Sequence, residues 1–198
     1  MGLVNTIALV MVVGWASGIN LYAMILTLGI LGSTGSLILP ESLRLLTSPE
    51  IIALACFMYV VEFIVDKIPA FDSVWDAVHT FIRIPAGAVL AAAVMGRVDP
   101  ALIVMAMLVG AMLSAGSHGL KMSTRLFINT SPEPFSNWAA STFEDILVVA
   151  GIMTALYHPI IFLLLLALFI ALVIWLIPKL FSALKSVFLR VRKFLSKA

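Results

Sequence analysis

Residues 66–83 read DKIPAFDSVWDAVHTFIR, and the apolar run IPAGAVLAAAVMG follows at once at 84–96. Asp72, Asp76, His79 and Arg83 are spaced four, three and four, so a helix puts all four on one face, with Val74, Trp75, Val78, Phe81 and Ile82 largely elsewhere. Residues 84–96 alone would rise about 20 Å as a helix, short of the roughly 30 Å hydrocarbon core of a membrane. To span, this helix must draw Arg83 and His79 inward. The same spacing recurs at His118, Lys121, Arg125 and Asn129, and the apolar run before it, 101–115, is likewise too short to span alone. His118 and Lys121 are therefore expected in the membrane as well. The alternative is an amphipathic helix at 72–83 lying in the membrane plane.

The rest of the chain makes the membrane unavoidable. Of 198 residues, 63% are hydrophobic and 11% charged, with a mean hydropathy of +1.17. A soluble domain carries about a quarter charged residues. Cys56 is the single cysteine, which excludes a disulfide scaffold, and a net charge of +2 excludes a nucleic-acid binder. The expected class is an all-α integral membrane protein.

Six apolar runs are long enough to be considered as spans: 3–32, 49–67, 84–96, 99–116, 137–157 and 160–178. An even number puts both termini on the same side. The loops then alternate, with 33–48, 97–98 and the His158–Pro159 turn outside and 68–83 and 117–136 inside. Ten of the twelve basic residues fall inside under this scheme, and only Arg44 and Arg97 outside, which satisfies the positive-inside rule for termini in the cytoplasm. The N-terminal run has no basic start, so it is expected to be a retained helix and not a cleaved signal peptide. Six basic residues lie between Lys179 and Lys197, and this stretch is expected to be a basic amphipathic tail, 179–198, on an anionic membrane face.

Three helices per half suggest two repeats of opposite orientation, 1–97 and 98–178. Gly14, Ser17, Gly18 and Asn20 are expected to break the first helix of one half. Gly110, Ser114, Gly116, Ser117 and Gly119 would break that of the other. Each half also carries an acidic pair in its second helix, Glu62 and Asp66 in one, Glu144 and Asp145 in the other. Gly14-x-x-x-Gly18 alone is a close-approach motif.

An unpaired charge at the membrane centre costs roughly 3 kcal/mol or more, so such residues pair or line a hydrated cavity. The candidates are the acids Glu62, Asp66, Asp72, Asp76, Glu144 and Asp145, the bases Lys67, Arg83, Lys121 and Arg125, and His79, His118 and Asn129. Acids exceed bases, and histidine titrates near neutral pH. In the segment 129–137, Ser136 or Asn137 is expected to cap a helix beginning at Trp138. No nucleophile set, zinc spacing or phosphate loop is evident, so no cofactor or metal is expected.

GINLY at 18–22, the stretch 66–83 with PAGA after it, His118-Gly119-x-Lys121 and SPEP-x-SN at 131–137 closely resemble a domain-of-unknown-function family, number four-one-two-six, of small bacterial integral membrane proteins. The resemblance covers about residues 5–180 and implies a membrane protein of the bacterial inner membrane, without implying a chemistry. From the residues themselves, the expected function is a small proton-coupled secondary transporter or channel-like protein. A lipid-phosphate flippase and a structural or partner-binding membrane subunit are the alternatives. An intramembrane enzyme has less to support it. Expected partners are membrane lipid and a small solute, ion or lipid headgroup, and the small size suits a homodimer.

Overall fold

The computed structural model describes residues 2–68, 71–129 and 134–195. The described residues are helical apart from short connections and contain no strand. Six α-helices follow in order: α1 (Leu3–Ser33), α2 (Pro49–Val65), α3 (Phe71–Met95), α4 (Pro100–Ile128), α5 (Pro134–Tyr157) and α6 (Pro159–Leu195), with a short 3-10 helix, Glu41–Thr47, before α2. Five of them are long and apolar enough to cross a membrane. The 3-10 helix and α2, bent by 65°, would together make a sixth span. The protein is a multi-pass, all-α membrane protein.

Local chemistry accounts for the helix ends. Proline stands first in α2 and α4, where its missing N–H has no intrahelical partner to lose. Ser48 accepts from the Ile51 amide and Asp99 from the Ala101 amide, each covering one of the free donors of the first turn. Gly96, at φ +64°, takes the left-handed conformation just after α3.

Two loops expected on the inner side are in fact mostly helix. The region 68–83 contains the first three turns of α3, and 117–136 contains the last three of α4. The stripe at 72–83 is thus continuous with the apolar run after it and is no separate in-plane helix. The burial pattern gives the physical reason. Asp72, Asp76, His79 and Arg83 are buried, while Val74, Val78, Phe81 and Ile82 are exposed, Phe81 at 83%. A helix with its charges inside and residues such as Val74, Val78 and Phe81 outside is stable only where the surrounding solvent is apolar.

Helix α1 is the centre of the bundle, packed against α3, α4 and α5 and also touching α2 and α6. It carries no charged residue. Its contact with α4 is backbone to backbone. A Cβ added at Gly14 would lie 2.8 Å from the Cα of Gly110, and one at Gly18 would collide with Ser117 Oγ and the Ser114 carbonyl. Small residues let membrane helices approach closely and gain dispersion contacts where no hydrophobic effect drives them together. On the far side of α1, Trp15 stands edge-on to Phe162 and Phe169 of α6.

The helix breaks expected at Gly18, Gly116 and Gly119 are absent: all three keep helical geometry, because at Gly18 small size serves packing and α4 runs unbroken. The break in α1 falls at Asn20 (φ −146°, ψ 98°). Pro134 opens α5, so Ser136 and Asn137 lie inside its first turn and do not cap it. The proposed start at Trp138 is corrected by one turn, since proline is preorganised for that position. Residues 130–133, part of the same motif, lie outside the described residues, as does Lys197. The tail expected at 179–198 continues α6 as helix to Leu195, and Lys179 lies 3.5 Å over the Trp175 ring.

Candidate functional site: a buried network of seven charges

The break at Asn20 organises the site. Asn20 has the extended backbone of an N-cap, and its Oδ1 accepts from the Ala23 amide at 2.9 Å, capping the half-helix that follows. The Ala23 amide would otherwise close on the carbonyl of Ile19. That carbonyl instead accepts from Lys121 Nζ (3.3 Å), and the Gly18 carbonyl accepts from Arg83 (3.4 Å). Two cations thus meet the carbonyl end of the first half-helix, the end that favours positive charge.

Around them four helices converge. Arg83 of α3 pairs with Glu62 of α2 at 2.6 Å and with Asp76 of its own helix at 3.0 Å. Lys121 of α4 lies 3.0 Å from Asp66, 3.3 Å from Glu62, 3.5 Å from Glu144 of α5 and 3.6 Å from Asp76. Arg125, one helical turn further, pairs with Glu144 at 2.7 Å and Asp66 at 3.4 Å, and donates to the Asp66 and Asn137 carbonyls. Of the seven side chains, six are 0–3% exposed. Glu144, at 13%, is the seventh.

His118 adjoins the network as a neutral ring. Its Nδ1 lies 3.1 Å from Arg83 Nη1, and a guanidinium can only donate, so Nδ1 accepts. The proton is on Nε2, which reaches the Asp76 carbonyl at 3.1 Å, with Thr80 Oγ1 at 2.8 Å. The ionised network therefore holds four carboxylates against three cations. Several buried atoms have no hydrogen-bond partner: Glu62 Oε2, Asp66 Oδ1 and Asp76 Oδ2 among the acceptors, and the Nε atoms of Arg83 and Arg125 among the donors, while Asp76 Oδ1 is held by its ion pairs with Arg83 and Lys121.

The remaining candidates flank this core. Asp145 accepts from Asn20 and from Tyr59, both at 2.9 Å. His79 stacks on Trp75 with ring centroids 4.2 Å apart, donates to the Trp75 carbonyl and meets the Tyr22 hydroxyl at 3.1 Å. Asp72 is held by Asn129 at 2.9 Å and by the Ser73 amide, and Asn129 accepts from Asn137. Lys67 is the one candidate base outside the ion pairs: its ammonium donates to the Phe63 carbonyl and lies over the Phe63 ring.

Tyr22, Tyr59, Ser114 and Asn137 also belong to the site and escape a reading that counts charges. Ser114 donates to the Arg83 carbonyl. The signal was present, since Ser114 precedes His118 by four residues on the same stripe and Tyr59 precedes Glu62 by three. A cavity of about 160 Å³ opens beside the network between α1, α4, α5 and α6, with Lys121 and Glu144 in its wall.

An all-helical membrane bundle that buries a charge network against a broken central helix is the class that fold and site define. The chain belongs to the family described as domain of unknown function DUF4126, whose model matches residues 7–179. The matched span takes in every residue of the network. No curated protein and no solved structure matches the chain.

Proposed function

We propose that the protein is a small proton-coupled secondary transporter or channel-like protein of a bacterial cytoplasmic membrane, with its polar site in the inner half of the bilayer and both termini in the cytoplasm. The observation that carries this reading is the odd carboxylate. Four acids face three cations in a region where an uncompensated charge costs several kcal/mol. A proton is the smallest compensation, and the unpartnered oxygens of Glu62, Asp66 and Asp76 are places to hold it. The broken α1 turns the Gly18 and Ile19 carbonyls toward Arg83 and Lys121 instead of its own next turn, and broken helices are a device of transporters that bind solutes near the bilayer midplane. A purely structural network would have no need of an opening, and this one borders a cavity through Glu144. The flippase alternative is less well supported, because the bases of the 118–129 stripe are already matched by carboxylates within 3.6 Å.

Reconstitution into proteoliposomes bearing a pH gradient tests the reading, with internal pH followed by an entrapped dye. Wild-type protein is expected to dissipate the gradient faster than empty liposomes, and Glu62→Gln and Glu144→Gln to slow it to the empty-liposome rate. Equal rates in all four samples would remove the proposal.

A further inference from the structure

The cavity beside Glu144 narrows the solute class, and this inference rests on the proton-coupled reading above. The cavity of about 160 Å³ has a mainly apolar lining that includes Ile19, Phe143 and Phe169, with Ser117, Thr124 and the charged pair Lys121 and Glu144 as its polar members. An apolar cavity of about 150 Å³ holds a benzene ring. Two further grooves of about 340 and 330 Å³ share Phe169 with it, one between α5 and α6 and one between α4 and α6. A ligand larger than a ring therefore has apolar surface to extend along.

Charge decides the kind of ligand. Lys121 already lies within 3.6 Å of Glu62, Asp66, Asp76 and Glu144, so an entering anion would meet a cation more than matched by carboxylates. Glu144 has the most exposed side chain of the network, so a solute meets a carboxylate first. Phe143 and Phe169 line the cavity, and an aromatic ring attracts a cation within about 6 Å of its centre. Beyond them lie buried carboxylate oxygens without partners, in a network with one negative charge too many.

We propose that this cavity takes a small lipophilic monovalent cation, an aryl- or alkylammonium, whose charge replaces the proton that otherwise compensates the odd carboxylate. The ammonium sits at Glu144 and the apolar end between the two phenylalanines. No covalent bond changes. One cation enters, one proton leaves to water, and the total charge of the site stays constant. The ionisable groups that face Glu144 are Lys121 and Arg125 of α4, with Glu62 of α2, Asp66 just after that helix, Asp76 and Arg83 of α3 and the adjacent Asp145 behind them. Helix α1 and the cavity-facing part of α6 bring no charge.

The test titrates three probes into purified full-length protein in detergent by calorimetry: benzyltrimethylammonium, its uncharged carbon isostere neopentylbenzene, and phenyl phosphate. Buffers of different ionisation enthalpy report proton release together with affinity. Saturable binding is expected for the ammonium alone, with about one proton released and affinity rising up to about tenfold per pH unit while the site holds its proton. Ala140→Phe, which fills the cavity without altering a charge, is expected to abolish binding, as is Glu144→Gln. Should Glu144→Gln fail to fold, Ala140→Phe and the three-probe comparison decide the matter. Equal binding of neopentylbenzene, preference for phenyl phosphate, or ammonium binding undiminished in Ala140→Phe would each overturn the proposal. Proton flux in liposomes without ammonium binding would overturn it while leaving the transport reading in place. Ammonium binding with proton release but no flux would support the site and count against transport.

Discussion

Arg83 and Glu62 form the shortest pair in the network, yet their substitutions should have unequal effects. Both are fully buried. Replacing Arg83 by Met leaves Glu62 and Asp76 with Lys121 alone and raises the excess negative charge, and removal of one partner from a buried pair costs about 3–5 kcal/mol. Glu62→Gln removes one charge from a network that has a carboxylate to spare. Thermal unfolding in detergent should show a large loss of stability for Arg83→Met and a distinctly smaller one for Glu62→Gln. Equal losses would mean that the network is not acid-rich in the folded protein. The charged residues of this site were legible in the sequence, because a charge in so apolar a chain has few reasons to be there. Their partners were not. Lys121 gathers acids from α2, α3 and α5, and helical spacing speaks only of neighbours on a single helix.

On the scale of elements, Asn20 and Gly18 control α1 in different ways. Asn20→Ala removes the cap on the Ala23 amide and a donor to Asp145. A lost cap costs about 1 kcal/mol, and an acceptor left buried adds about 1–3 kcal/mol. Asn20→Asp keeps the cap oxygen but sets a carboxylate against Asp145. Melting of both variants should therefore fall below wild type, and an unchanged Asn20→Asp would argue that Asp145 is protonated. Gly18→Ala presses a methyl group into Ser117 and the Ser114 backbone, where overpacking costs about 1–3 kcal/mol. The sequence marked this region as a break but could not tell the residue that bends from the residue that packs. Glycine serves both purposes, and only the surroundings of Gly18 distinguish them. The lengths of α3 and α4 were half legible. Their apolar runs are too short to span, so the polar stripes had to join them; the alternative of an in-plane helix fell only when Phe81 proved to face outward.

For the whole molecule, the open question in the sequence is orientation, and its composition supplies the means to test it. Cys56 is the only cysteine and is exposed, so Cys56→Ser gives a cysteine-free background at small structural cost. In that background, a membrane-impermeant thiol reagent added to intact cells should label Ser36→Cys, in the loop before α2, and not Ser182→Cys, in the last part of α6. Both positions are exposed in the structure. The reverse pattern would invert the proposed topology, and with it the side from which Glu144 is reached.

Helix α1 ends at the centre of the bundle although it is made before the five helices that pack round it. With no charged residue it can partition into lipid unaided, and it then waits there with the Gly18 and Ile19 carbonyls already freed by the turn at Asn20. Glu62 and Asp66 leave the ribosome before Arg83, and Arg83 before Lys121 and Arg125. Each cation therefore arrives after an acceptor for it has been synthesised, so the order of residues along the chain is also an order of assembly in which no base need wait alone in the membrane.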